Sequence, residues 1–191
     1  MEKVKIKNYP MVSPAPTVLV GADVNGKPNY ATVGAFGVVC LEPVFYISLK
    51  STHYTTIGVK ENGYFSINVP SADMVQITDY CGIISGKITD KSVVFTPFYD
   101  ELEKAPMISE CPLNFLCKII QNVPICGFEV FFGEIVSTYL NKQCLTDDKP
   151  DPLKINPMIM MGTSYFDLGQ AVGNVFKEGL EYMKSQNIQQ I

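Results

Sequence analysis

The sequence is poor in metal-binding residues. Among its 191 residues there is a single histidine, His53, and none of the six cysteines shows Cys-x-x-Cys spacing. Zinc and iron–sulfur sites need clustered thiolate or imidazole ligands, so the sequence predicts no metal centre. The first residues also lack the apolar run of a signal peptide, which argues against export and disulfides. We therefore interpret most cysteines as small buried hydrophobic residues.

Basic clusters and long apolar runs are absent as well. Charged residues make up 18% of the chain and the formal net charge is −4, which argues against a duplex nucleic-acid binder. The longest apolar stretch, residues 33–41, contains two glycines and is too short to cross a bilayer. With 47% hydrophobic residues, the chain is expected to be one domain spanning residues 1–191, soluble and cytoplasmic.

Two common nucleotide-binding motifs are missing. No Gly-x-Gly-x-x-Gly is present, which leaves a Rossmann dinucleotide site without support. Residues 82–87, Gly-Ile-Ile-Ser-Gly-Lys, resemble a P-loop but have three residues between the glycines where the motif needs four. The next residue is Ile88, where a P-loop has a magnesium-binding hydroxyl. An ordinary NTPase is therefore excluded.

The apolar pattern that is present indicates strands with a few short helices. Alternation over residues 64–69 and two long runs, 113–123 and 128–140, predict strands, and Asn25-Gly26 predicts a hairpin turn. Helices are predicted over 52–62, after Ser71, and over about 170–186. The last has Val172, Phe176, Leu180 and Met183 on one face, for packing on its own barrel or on a partner. Because regular β-α units are missing, we expect a mainly β fold, an antiparallel barrel with helices packed on it.

The junction between the strand at 45–49 and the following helix is rich in anion-binding groups. Lys50 and several hydroxyl residues precede a helical first turn, whose free N–H groups and dipole attract a phosphate. Lys91, in a later polar stretch, is a second candidate for the same phosphate. The alternative is that Ser51 or Thr52 merely caps the helix and the lysines are solvated.

Four blocks resemble one known family. They are residues 26–37; residues 47–55, where the family shows Ser-Leu-(Arg/Lys)-x-x-(Arg/His)-Tyr-Thr; residues 79–91, with Asp-Tyr-Cys-Gly, Ser-Gly and Asp-Lys; and Phe-Gly-Glu-Ile-Val at 132–136. In this order they resemble the flavin reductase-like, FMN-binding split β-barrel proteins, particularly the flavoredoxin group. The resemblance runs from Pro14 to roughly Gly173. It implies an antiparallel split β-barrel that binds FMN.

The resemblance also implies the residues that would contact FMN. For the phosphate and ribityl chain they are Lys50, Ser51, Thr52, Tyr54, Thr55 and Lys91. For the isoalloxazine edge they are Asn29, Ala31, Thr32 and Val33, with Ser48 and Leu49 continuing the wall. The block containing Cys81 would close over the flavin, and Tyr165 or Phe166 would either cover an aromatic face or pack at the barrel rim.

The sequence departs from the family pattern at two places. Related flavoredoxins often carry tryptophan where this chain has Ala35, and a histidine shortly before the Gly-Glu of the late strand, where this chain has Phe128-Glu129. The chain contains no tryptophan at all. These differences leave the redox partner and the substrate pocket open but do not affect the phosphate site.

The resemblance implies a homodimeric oxidoreductase, either a flavin reductase or a flavoredoxin. Bound FMN would move electrons between NAD(P)H or a redox protein and an acceptor, consistent with a sequence that shows no convincing catalytic dyad or triad. The alternatives are a non-enzymatic flavin-binding module for storage or sensing, and a covalent cysteine enzyme. The latter would use Cys40, Cys81 or Cys126, with a Cys–His pair left open.

Overall fold

The computed structural model describes residues 1–6, 8 and 10–186, which form fourteen strands and four α-helices. The strands are Ala15–Pro16 (β1), Val18–Val24 (β2), Lys27–Val33 (β3), Phe36–Cys40 (β4), Val44–Lys50 (β5), Tyr64–Val69 (β6), Pro97–Phe98 (β7), Met107–Ile108 (β8), Leu113–Ile125 (β9), Phe128–Leu140 (β10), Leu145–Thr146 (β11), Lys149–Pro150 (β12), Ile159–Met161 (β13) and Ser164–Phe166 (β14). The helices are Tyr54–Asn62 (α1), Val75–Ile83 (α2), Pro152–Ile155 (α3) and Lys177–Ser185 (α4). Among these elements, no helix is long and apolar enough to cross a membrane.

Seven antiparallel strands form the main sheet, in the order β3-β2-β6-β9-β10-β5-β4. Strands β3 and β4 lie at opposite ends of this order, yet only Gly34 and Ala35 separate them in the chain. Two linking residues reach at most about 11 Å, whereas the edges of a flat seven-stranded sheet would be about 29 Å apart. The sheet must therefore curve until its edges meet, and the prediction of an antiparallel barrel is confirmed.

The barrel interior is filled by alternate residues of these strands. Ile47, Phe65 and Phe131 are fully buried in one cluster that runs through β2, β3, β5, β6, β9 and β10. The predicted turn at Asn25-Gly26 joins β2 to β3, and both residues have positive φ, 53° and 75°. The β9–β10 hairpin turns at Cys126-Gly127 in the same way. The predicted strands and hairpin are confirmed.

Helix α1 lies directly against β2. A Cβ atom on Gly58 would stand 2.1 Å from the carbonyl oxygen of Asp23, so only glycine permits this approach. The helix ends at Gly63, whose φ of 69° and N–H bond to the Val59 carbonyl form the predicted C-terminal cap. It begins at Tyr54, two residues later than predicted.

The prediction for the C-terminal helix was wrong at its start and in its packing on the barrel. Helix α4 begins at Lys177, so Val172 and Phe176 precede it, and none of its described residues is buried. Gly173 and Asn174 are poor helix formers, and Phe176 adopts a left-handed φ of 66° that cannot continue a helix backwards. The predicted end near residue 186 agrees with the observed end at Ser185.

Candidate functional site

A cleft opens where β3, the start of α1 and the end of α2 meet. It has a volume of about 250 Å³ and is lined by Ala31, Thr32, Thr52, His53, Tyr54, Thr55, Cys81, Gly82, Ile83, Ile84, Ser85, Gly86 and Lys91. A second cleft of about 410 Å³ adjoins it, shares Tyr54, Gly86 and Lys91, and includes Asn29. Ligand sites usually occupy about 300–1,000 Å³, so the two clefts together suit one extended ligand.

The first turn of α1 lies at this cleft. Its Thr56 N–H donates to the His53 carbonyl at 3.2 Å, which leaves the N–H groups of Tyr54 and Thr55 as the available donors. His53 is the N-cap residue, and within the described part of the chain no side chain caps the turn. The first N–H groups of a helix have no intrahelical acceptor and lie at the positive end of its dipole. The alternative interpretation, in which Ser51 or Thr52 caps the helix, is therefore wrong. An uncapped first turn of this kind suits an anion.

Hydrogen bonds to neighbouring elements hold the loop before α1 in place. The Ser51 N–H donates to the Gly127 carbonyl at 3.0 Å. The neighbouring strand β10 carries Glu129, which accepts from Lys60 of α1 and is paired with it. The Thr56 hydroxyl donates to the Lys50 carbonyl at 2.9 Å. These bonds fix the loop, and one of them occupies the backbone N–H of Ser51.

Two hydrogen bonds tie the wall of β3 and its hairpin to the first turn of α1. The buried Asn29 amide donates to the Thr55 hydroxyl at 2.7 Å. The Asn25 amide donates to the Tyr54 hydroxyl at 3.1 Å. Gly86 packs against this pair from the opposite side, where a Cβ would stand 2.1 Å from the Asn29 side-chain oxygen. The cleft walls therefore have a fixed spacing.

Lys91 is buried, with 4% of its surface exposed, and it lines both clefts. Its ammonium donates to the carbonyls of Tyr30 at 3.0 Å and Cys81 at 2.8 Å, which joins β3 to the end of α2. Burial lowers the pKa of Lys91. Although the prediction placed this residue at the phosphate, two of its donors already hold backbone groups.

Cys81 and His53 face the same cleft without the properties of a nucleophilic pair. Burial raises the pKa of the Cys81 thiol to about 11, so the thiolate is scarce at neutral pH. The pKa of His53 is lowered by burial and by the charges of Lys50 and Lys91, so the imidazole is neutral. This argues against Cys81 as a covalent catalyst. In the described residues no group of three or more His, Cys, Asp or Glu side chains suits a metal ion.

The structure brings together only part of the predicted contact set. Ala31, Thr32, Thr52, Tyr54, Thr55, Cys81 and Lys91 line the first cleft, and Asn29 lines the second. Outside both linings are Val33, Ser48, Leu49, Lys50, Ser51 and Tyr165. The side chains of Val33 and Leu49 belong to the barrel core, because alternate residues of a strand face opposite sides. Val33 and Leu49 could therefore contact a ligand in the cleft only through their backbone groups.

Tyr165 has a structural partner close to the site. Its hydroxyl donates to the Asp79 carboxylate at 2.8 Å and so fastens the β13–β14 hairpin to α2. Burial, and then Asp79, raises the pKa of Tyr165 to about 12. The neighbouring Phe166 is exposed. The contact supports packing at the rim, and a role of Tyr165 against a flavin stays a prediction.

Sequence reasoning did not select His53 as a lining residue. It included residues 82–86 only through the family block at 79–91, which the resemblance predicted to close over the flavin. Residues 82–86 line the cleft because α2 continues to Ile83, and the loop that follows lies beside Asn29 and Tyr54. His53 lies within the family block at 47–55, beside Thr52 and Tyr54, and that position was the available signal.

Comparison with known proteins identifies the family. Residues 11–169 match the family model described as "Flavin reductase like domain". A solved flavoredoxin from Methanosarcina acetivorans is 39% identical, with TM-score 0.92, over 96% of this chain and 100% of that one. The flavoredoxin of Desulfovibrio vulgaris (Miyazaki F) is 31% identical, with TM-score 0.87, over 93% and 100%. A curated protein of Archaeoglobus fulgidus, named only as uncharacterized, is 27% identical over 80% of this chain and 85% of its own length.

The fold and the cleft define a split-barrel protein of the flavin-binding redox class. The chain belongs to the flavin reductase like domain family, because the match spans most of its length. The residues present fit a flavin nucleotide. The uncapped turn of α1 suits its phosphate, and hydroxyls at Thr52, Tyr54 and Thr55 suit a polyol chain.

Proposed function

We propose that this protein is an FMN-dependent oxidoreductase of the flavoredoxin type. It would move electrons between NAD(P)H or a redox protein and an acceptor through bound FMN. The observation that carries this proposal is the uncapped first turn of α1, which opens into a cleft walled by β3 and the end of α2. The 39% and 31% identity to two flavoredoxins supports it.

The chain would contact FMN at its phosphate and at its isoalloxazine ring. The first-turn N–H groups of α1, with the hydroxyls of Thr52 and Tyr54, would bind the phosphate, and the exposed Lys50 would add long-range attraction. Ala31 and Thr32 would form the wall beside the ring. Residues 81–84 would exclude water from the opposite side. FMN supplies the redox chemistry, taking up a hydride or single electrons, and the protein orients it.

The remaining parts of the proposal concern assembly and location. We propose a homodimer, which would cover apolar surface that one copy leaves exposed. All six cysteines are free, which favours the reducing cytoplasm. NAD(P)H and a reduced redox protein are the two candidate donors.

The test is the visible absorption spectrum of freshly purified protein, followed by anaerobic addition of NADH, NADPH or dithionite. Flavin bands that bleach with a nicotinamide nucleotide would establish a reductase. Bands that bleach only with dithionite or a reduced protein carrier would establish an electron carrier. A bound flavin that no physiological reductant bleaches would favour a storage or sensing module. If no flavin is present and none binds on titration, the proposal is wrong.

A charge test addresses the site itself. Thr52 is exposed and lines the cleft, so substitutions there should leave the fold intact. Thr52→Glu places a negative charge at the first turn of α1, and Thr52→Gln is the neutral control of the same shape. We expect the Glu variant to bind FMN at least about tenfold more weakly than the Gln variant. Equal affinities would place the phosphate elsewhere.

A further inference from the structure

A third cavity lies beside the short β7–β8 hairpin, where β9 begins and β10 ends. It has a volume of about 260 Å³. Its lining includes Phe98 of β7, Asn114 of β9 and Tyr139 of β10, and none of its lining residues belongs to the two clefts described above. The proposed function therefore leaves this cavity without a role.

Asn114 has a fixed orientation in the wall of this cavity. The residue is buried, with 4% of its surface exposed. Its amide nitrogen donates to the Asn68 side-chain oxygen at 2.8 Å and to the Ile108 carbonyl at 2.9 Å. Because both partners are acceptors, the nitrogen must face them, and the oxygen must point the other way. The protein itself therefore satisfies both amide hydrogens of Asn114.

The side-chain oxygen of Asn114 is left without a partner. Among the described residues no donor bonds to it, although the polar atoms of a buried side chain usually have one. This oxygen is not one of the fully enclosed polar atoms that lack a partner, so it opens into the cavity that Asn114 lines. The cavity thus contains an acceptor that is held in one direction and is free to bind a donor.

Two aromatic rings lie beside this oxygen. Tyr139 is the residue directly opposite Asn114 in the β9–β10 pair, so the two side chains share one face of the sheet. Phe98 packs on Tyr139 edge to face, with the ring centroids 5.5 Å apart. Tyr139 nevertheless remains 39% exposed. Because aromatic rings attract one another in stacked or edge-to-face arrangements, this open surface favours an aromatic ligand.

The lining of the cavity carries no charge. None of the described residues around it is acidic or basic. Burial raises the pKa of the Cys111 thiol, which also lines the cavity, so this thiol is uncharged at neutral pH. A charged ligand would lose its hydration here without gaining an opposite charge, and this loss is costly. The lining therefore favours a neutral molecule.

We propose that this cavity binds a small neutral aromatic molecule that carries a hydrogen-bond donor. The donor bonds to the Asn114 oxygen, and the ring packs against Tyr139 and Phe98. A phenol is the simplest molecule of this class. The cavity is slightly smaller than the roughly 300–1,000 Å³ of sites for larger ligands, so a molecule with one ring suits it. The site is separate from the proposed flavin site and does not depend on it.

The test is a titration of the full chain, saturated with FMN, with para-fluorophenol, followed by fluorine NMR. Its control ligand is para-fluorotoluene, which has nearly the same shape but a methyl group in place of the hydroxyl. We expect para-fluorophenol to bind with a dissociation constant of about 1 mM or lower. The toluene should bind at least about tenfold more weakly, because it would cover the Asn114 oxygen and leave it unpaired. No binding of para-fluorophenol would overturn the site, and equal affinities would overturn the role of Asn114.

Two variants test the location of the bound phenol. Ser109 is exposed and lines the cavity, so Ser109→Phe fills the space with a ring, whereas Ser185→Phe makes the same change at an exposed position of α4 outside the lining. We expect Ser109→Phe to weaken binding at least about tenfold and Ser185→Phe to leave it unchanged. Binding that Ser109→Phe does not alter would place the ligand elsewhere and overturn the proposal.

The result is distinguishable from a failure of the proposed function. Saturation with FMN keeps the phenol out of the flavin cleft, and FMN titration of the same proteins reports on that cleft separately. If the protein binds no FMN, the proposed function is wrong, and the phenol site is still decided by Ser109→Phe. Circular dichroism confirms that each variant is folded.

Discussion

The Asn29 amide and the Thr55 hydroxyl meet at 2.7 Å, both buried, and join β3 to the first turn of α1 across the floor of the cleft. The pair sets the distance between β3, which we propose lies beside the flavin ring, and the first turn of α1, which we propose binds the phosphate. Thr55→Val keeps the shape but removes the acceptor, which leaves a buried amide donor without its partner. We expect a loss of about 1–3 kcal/mol in unfolding free energy, together with weaker FMN binding.

Chemical denaturation and FMN titration measure the two effects. Thr55→Ser retains the hydroxyl and is the matched control, so it should stay close to wild type in both assays. If Thr55→Val were as stable as wild type, the Asn29–Thr55 hydrogen bond would contribute nothing to the stability of the fold. The hypothesis that this bond sets the width of the cleft would then be wrong.

His53 predicts a pH dependence of FMN binding. In the free protein its pKa is lowered by burial and by Lys50 and Lys91, so the imidazole is neutral at pH 7. A bound phosphate would favour the charged imidazolium and raise this pKa. Binding would then take up a proton. Affinity should increase as the pH falls through the raised pKa, and the increase should level off below the lowered pKa of the free protein.

The sole histidine makes this measurable by NMR, because one imidazole resonance reports the titration with and without FMN. The phosphate also titrates near pH 6, so each affinity is compared with that of His53→Gln at the same pH. A constant ratio between the two proteins across the pH range would rule out the contribution of His53.

Lys91 predicts a pH dependence of stability. Its pKa is lowered from 10.5 in the folded protein, chiefly by burial, so the unfolded chain binds more protons between the folded pKa and 10.5. The Lys91 contribution to unfolding free energy therefore rises with pH in that window. We expect the difference between wild type and Lys91→Met to grow in favour of wild type as the pH is raised. Parallel stability curves over this window would show that Lys91 is not desolvated.

Local signals predicted the fold well, and contacts distant in sequence limited the prediction of the site. Asn25-Gly26 and Gly63 act through their own backbone geometry, so their turns were readable from the sequence. The roles of Ser51 and Lys91 were not readable, because their partners, the Gly127 and Tyr30 carbonyls, lie far away in the sequence. The family blocks contain most residues that line the cleft. Only the fold shows which residues of a block face the cleft and which, such as Leu49, face the barrel core.

Gly58 tests whether the position of α1 decides the site. The Cβ of alanine would meet the Asp23 carbonyl oxygen at 2.1 Å, a backbone atom that cannot move aside without displacing β2. Gly58→Ala should therefore destabilise the fold by about 1–3 kcal/mol and weaken FMN binding as α1 shifts. Gly179→Ala in α4 is the matched control, since open space surrounds that position and alanine favours a helix. Thermal unfolding and FMN titration of both variants give the answer. A Gly58→Ala protein with wild-type stability would mean that α1 does not pack this tightly on β2.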